Sequence, residues 1–222
     1  MSHDFAIPLD QAMRTQRAIR KVKRDPVDDR IILQLLELAT HAPNARNEQT
    51  WEFVVVKDRQ VKQRLAAENR KLWNLVRRRF AAQGENDPAM QKLTAATQWA
   101  ADNFEHYPAM IVCCYKGSSF AFPPILGASL YGSILPAVQN LLLAARAIEL
   151  GANLTTIALW NQRRARKILG LPRGYVPTVL VTLGWPLGTY GPNQRKPVGD
   201  VVSLDRYNHR PWAGKSAAEA FG

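Results

Sequence analysis

The chain has 222 residues, 46% hydrophobic and 22% charged, a balance that excludes a disordered protein and suits one globular domain better than two. Lys and Arg outnumber Asp and Glu by 30 to 18, and the formal charge of +12 calls for an anionic partner without choosing among nucleic acid, a membrane surface and a phosphorylated small molecule. The two cysteines, Cys113 and Cys114, are adjacent, which excludes a disulfide framework and zinc-ligand spacing and leaves buried thiols in a reducing, cytoplasmic setting.

The first residues, MSHDFAIPLDQAM, carry acids and a proline and lack the apolar core of a signal peptide. Leu9 to Arg17 reads as a short helix that feeds the basic run Arg17–Arg24. Ile31, Leu35, Leu38 and Ile32, Leu36, Ala39 keep helical spacing, which predicts a helix opening at Pro26 and stopping before Pro43. His41, at that helix end, reads as a capping or dipole partner and not as a catalyst. Pro43 to Gln49 is a polar turn, and Trp51–Val56 a β-branched and aromatic strand.

Asp58 to Gln83 reads as a basic helix containing consecutive Arg77, Arg78 and Arg79, and Gly84–Pro88 as a break before a helix over Met90–Phe104. Tyr107 to Tyr115 reads as a buried strand on which the two cysteines point to opposite faces. Gly117 to Ala145 has no charged side chain, but Pro123, Pro124, Pro136 and Gln139–Asn140 interrupt it. It therefore reads as a helix of a protein interior, roughly Gly127 to Glu149, and not as a membrane span. Gly151 to Ile157 follows as a loop passing into an extended segment. Arg163–Leu169 reads as a basic helix, Pro177–Gly184 as a strand, and the tail from Asn208 shows no periodicity. Few strands among many helices make the class α+β.

Common site signatures are absent. The sequence has no GxGxxG, no GxxxxGK[ST], no GxSxG and no HExxH, and its four histidines are scattered. No pair of carboxylates stands out as an acid and a base. What remains is an ordered series of cationic and backbone-rich pieces: Gln16–Arg20, Ala42–Trp51, Gln139–Arg146 leading to Gly151–Thr156, and Leu183–Pro186 followed by Arg195–Lys196–Pro197.

In that order and spacing, from Leu9 to Tyr207, the series resembles the nitroreductase-like flavoproteins. The resemblance implies a central, mostly antiparallel sheet flanked by helices, with the long central helix buried at a homodimer interface. It implies one domain over 1–222, with a lid insertion over roughly 66–106 and a C-terminal arm over 208–222. It also implies bound FMN, NAD(P)H as reductant, and hydride transfer to nitroaromatics, quinones or similar flat acceptors.

By that resemblance the cofactor contacts fall on Arg17, Ala18, Ile19 and Arg20, on Pro43, Asn44, Ala45 and Asn47, on Thr156, Ile157 and Ala158, and on Arg195. Arginines suit a phosphate dianion because the guanidinium donates in a bidentate fork. A cation beside the flavin N1 and C2 carbonyl stabilises the reduced anion; Arg20 and one of Arg77, Arg78 or Arg79 are the candidates. Ala18 and Asn44 stand where the family pattern has Ser, and Thr50 where it has Pro, so the Ala18 contact is left to the backbone. The flavin carries the chemistry, so no catalytic side chain is expected, and no metal. Two other classes compete: a basic nucleic-acid-binding protein, which shows no recognisable module, and a flavin relative with another reaction, such as reductive dehalogenation or flavin destruction.

Overall fold

The computed structural model describes residues 5–83, 85–118 and 124–221. Gly84 of the predicted break, Pro123 of the charge-free stretch and the first four residues lie outside them. The chain divides into two compact units, Met1–Tyr190 and Gly191–Gly222.

The first unit is built on four strands: β1 (Trp51–Val56), β2 (Ala109–Lys116), β3 (Gly151–Thr155) and β4 (Tyr175–Gly184). They lie in the order β1-β2-β4-β3, and every pairing is antiparallel. β3, read from the sequence as a loop passing into an extended segment, is a strand from Gly151 onward and forms one edge of the sheet. Its Gly, Ala and Asn residues carry little strand propensity, and pairing with β4 decides the outcome. Between Cys113 and Cys114 the β2–β4 register slips by one residue. Pro177, which cannot donate to a ladder, sits at that bulge.

The alternation of β2 splits the core into two layers. Ile111, Cys113 and Tyr115 face α2 (Asp29–Thr40) and α5 (Pro124–Ala147), joining Ile31, Leu35, Ile134 and Leu141. Met110, Val112 and Cys114 face the other side, joining Leu65 and Ala66 of α3 (Arg59–Gln83), Ala165 of α6 (Gln162–Leu169), Phe104, Tyr107, Ala158 and Leu159. Each such aliphatic side chain contributes about 1.5–3 kcal/mol of transfer free energy. Burial pushes the Cys114 thiol up to about 12, and the Cys113 thiol up as well, so neither is reactive.

Helix ends follow local chemistry. The helix expected from Pro26 begins at Asp29, because the Asp28 carboxylate accepts from the Arg30 amide and takes the capping role. α4 (Pro88–Asp102) starts behind Asp87, which accepts from the amides of Ala89 and Met90. His41 is the C-terminal cap of α2, as expected. α5 is long and apolar enough to cross a membrane by length and composition. Ile134, Ala137, Leu141 and Ala145 are buried in the α2 layer, whereas Ile125 is 67% and Leu126 50% exposed. The burial expected for the whole helix thus holds for its second half.

The second unit holds a 3₁₀ turn at Val198–Asp200 and the short helix α7 (Ala217–Phe221) inside the tail that showed no periodicity. Asp200 accepts from the Gly214 amide at 2.7 Å, and Lys215 O from the Gly199 amide at 3.0 Å.

Candidate active site

The basic segment after α1 (Leu9–Thr15) is laid across the end of the sheet by backbone bonds. The Ile19 amide donates to Ala152 O at 2.9 Å, Lys23 to Trp185 O at 2.7 Å, and Leu187 to Lys21 O at 3.1 Å. Two glycines make this approach possible. Gly151 and Gly184 are register partners on β3 and β4. A Cβ on Gly151 would lie 2.8 Å from Ile19 Cγ2, and one on Gly184 2.7 Å from Val22 Cγ2. Side chains at these positions would lift the whole basic segment off the sheet.

Arg17 and Ala18 are exposed on this segment, Ile19 is buried and Arg20 is half-buried. The Tyr107 hydroxyl donates to Arg20 O at 2.7 Å and fixes the turn of the chain there. Burial lowers the Arg20 guanidinium from its usual value, with Tyr107 acting the other way, and it remains a cation. Among the described residues no carboxylate forms an ion pair with Arg17, Arg20 or Arg195. On the same face of the sheet the Asn153 Oδ1 is buried without a hydrogen-bond partner. Cations left without an anion and an unmet acceptor are what a phosphate-bearing ligand with ring N–H donors requires.

Thr156, Ile157 and Ala158 follow directly from β3. Thr156 is exposed, Ala158 is buried, and the Ile157 amide is turned onto Thr155 Oγ1 at 3.3 Å. Ile19 and Ala158 belong to one buried cluster, so the basic segment and this loop share one face of the sheet.

The Pro43 loop lies elsewhere. Its root, Ala42, is packed in the α2/α5 layer, and the Ala45 amide donates to Ser133 Oγ of α5 at 3.0 Å. Arg46 and Asn47 adopt φ near 55°, and Asn44 Oδ1 accepts from the Gln49 amide at 2.9 Å. Pro43, Asn44 and Ala45 border a cavity of about 290 Å³ with Ser129 and Gly132. Within one chain, therefore, the sheet separates this loop from the Arg17–Arg20 segment. Arg195 belongs to the second unit, exposed, its Nη1 donating to Gln194 O at 2.8 Å.

One feature of this face was not foreseen. Glu68 is the sole acid of α3 beside eight Lys and Arg, and it is buried. Its Oε1 accepts from Lys71 Nζ at 2.8 Å and from Arg164 Nη1 of α6 at 3.2 Å, and its carbonyl from Trp160 Nε1 at 3.2 Å. Burial pushes the carboxyl up, but the hydrogen bonds and charges of Lys71 and Arg164 outweigh it and hold it below the usual carboxylate range. Glu68 thereby clamps α3 to the far end of the Thr156 loop. A lone acid in a basic helix was the available signal.

The sequence matches the profile of the nitroreductase family over residues 13–185. The chain belongs to the nitroreductase family. With the family comes the class, an oxidoreductase. Among its relatives, an NADH dehydrogenase of Thermus thermophilus is 29% identical over 84% of this chain and 91% of its own. A nitroreductase of Desulfitobacterium hafniense, solved with bound FMN, shares the fold at a TM-score of 0.65 and 20% identity, over 92% of this chain and all of its own. An iodotyrosine deiodinase, solved with FMN and 3-iodo-L-tyrosine, shares it at 0.67 and 20% identity, over 90% and 99% of the two chains.

Proposed function

We propose that the protein is an FMN-dependent oxidoreductase that passes hydride from NAD(P)H to a flat conjugated acceptor such as a nitroaromatic or a quinone, the two substrates taking turns at one face. The observation that carries this reading is the pair Arg17 and Arg20, presented without acidic partners beside the orphaned Asn153 acceptor and on one face with the Thr156–Ala158 loop. Family membership and the FMN in related structures support it.

In this reading Arg17 holds the phosphate, with Ala18 and Ile19 contributing backbone, and Arg195 is assigned to the phosphate by the family resemblance alone. Arg20 supplies the positive charge beside the reducible ring, because it is half-buried on the shared face. The backbone of Thr156, Ile157 and Ala158 borders the ring edge. FMN, when bound, supplies the hydride acceptor and returns the reducing equivalents to the second substrate. Glu68 keeps the loop seated through Trp160.

Pro43, Asn44, Ala45 and Asn47 complete the site from a second copy, since the sheet keeps them from the site of their own chain. The exposed apolar start of α5, next to that loop, is the surface on which the copies meet. The lid insertion corresponds to α3 beyond Ala66 and all of α4, and the arm to the end of the second unit. Two buried thiols suit a cytoplasmic setting.

Anaerobic stopped-flow mixing with NADH or NADPH, followed by a panel of acceptors, tests the reading. Bleaching of the flavin by one reductant, then rapid reoxidation by nitroaromatics or quinones, is expected. Reoxidation confined to a halogenated phenol such as 3-iodotyrosine would assign a dehalogenation instead.

A further inference from the structure

Between the second half of α3 and the first half of α4 lies a cavity of about 510 Å³, within the range of small-molecule sites. Trp73 lies beneath it, 1% exposed, its Nε1 donating to Gln98 Oε1 at 2.7 Å, so the indole offers the cavity no free donor. Phe80 backs that ring at a centroid distance of 5.7 Å. Ala81 and Ala95 keep the space open where larger residues would close it.

Two cations stand on the wall, Arg77 and Arg78. Neither forms an ion pair among the described residues, although Glu85 also lines the cavity. The second, independent observation is Thr94. Its Oγ1 is buried and has no hydrogen-bond partner, whereas Thr97, one turn on, bonds back to Leu93 O at 2.8 Å. Leaving a buried hydroxyl unsatisfied destabilises the hairpin unless something else meets it. Small apolar walls at Ala81 and Ala95, unpaired guanidinium groups and an unsatisfied hydroxyl converge on one ligand chemistry: a flat aromatic ring carrying a single carboxylate.

We propose that this cavity is a binding site for aromatic carboxylates, separate from the Arg17–Arg20 site. Arg77 lies nine residues beyond Glu68, about 14 Å along the helix from the clamp that holds the Thr156 loop. The proposal stands whether or not the flavin reading does.

Calorimetric titration of the purified protein with 2-naphthoate, and with its neutral analogue 2-naphthamide, tests it. Saturable 1:1 binding of the naphthoate is expected, with the amide at least about tenfold weaker. Arg77→Gln/Arg78→Gln and Ala95→Leu should each weaken the naphthoate at least about tenfold, the first by removing charge and the second by filling the space. Ala95 is exposed, so Ala95→Leu keeps both the melting temperature and the flavin content. Thr94→Val should raise the melting temperature of the free protein while weakening the ligand. Absence of saturable binding, equal binding of acid and amide, or naphthoate binding untouched by both the arginine and Ala95→Leu variants overturns the proposal. Loss of flavin from Ala95→Leu would merge the cavity with the flavin site and overturns it too.

Discussion

The two faces of the sheet are built by opposite means. The α2/α5 face is an apolar layer in which Ile32, Leu35, Ile134 and Leu141 interdigitate, and it runs out into exposed Ile125 and Leu126. The α3/α6 face packs fewer aliphatics and relies on aromatic rings and on polar ties through Tyr107 and Glu68. The first face can be stable with any sequence of adequate volume and pattern. The second needs particular residues, because each tie joins two elements around the candidate site. The candidate cofactor residues Arg17, Arg20 and Thr156–Ala158 go with the face that has the weaker apolar layer.

The largest effect that would sharpen this contrast is expected from Trp73→Ala. Trp73 is core, and its truncation should cost about 3–5 kcal/mol. Melting temperature should fall steeply, while acceptor preference per folded, flavin-loaded molecule stays as it was. A changed preference at unchanged stability would make Trp73 a contact of the acceptor instead.

Next comes the cofactor grip. Arg195→Ala should weaken FMN by about 1.5–3 kcal/mol, as expected for a lost charge-assisted contact. Arg79→Ala, on an exposed helix face, should stay within ~0.5 kcal/mol. Equal flavin affinities in the two variants would remove Arg195 from the phosphate site.

Glu68→Gln should destabilise by about 1–2 kcal/mol, the lower part of the range for a charged hydrogen bond because Lys71 and Arg164 are half exposed. The sign with pH follows from the depressed carboxyl. Its stabilisation is complete above the unfolded value, about 4.3, and is lost as pH falls through the lower folded value. The gap in melting temperature between the native protein and Glu68→Gln should therefore be full at neutral pH and close in acid. A gap that is constant with pH would mean that Glu68 acts by shape alone.

The smallest stability change is expected on the apolar face. Leu126→Lys should alter the melting of the single chain by no more than ~0.5 kcal/mol. It should nevertheless shift the particle mass in light scattering from two copies toward one.

Most elements were legible because hydrophobic period and turn chemistry coincide, as in α2, β1 and β2. β3 was legible only in part, as a loop passing into an extended segment, because Gly151, Ala152 and Asn153 disfavour strands and pairing with β4 overrides them. The start of α2 was misplaced because Asp28, and not Pro26, satisfies the first amides. For the candidate site, Arg17, Arg20 and the Thr156 loop could be singled out as candidates from their order, but their common face could not. The bonds that create it link positions more than a hundred residues apart, such as Ile19 to Ala152. Glu68 escaped because its meaning depends on burial against Trp160 and Arg164, which no local pattern encodes.

The central claim, that the Arg17–Arg20 face binds a flavin phosphate, is tested most directly by identifying what the purified protein releases on acid denaturation. The account predicts FMN, at one molecule per chain, released into the supernatant and not covalently retained. A colourless protein that fails to take up added FMN, or one that releases only FAD, would contradict it.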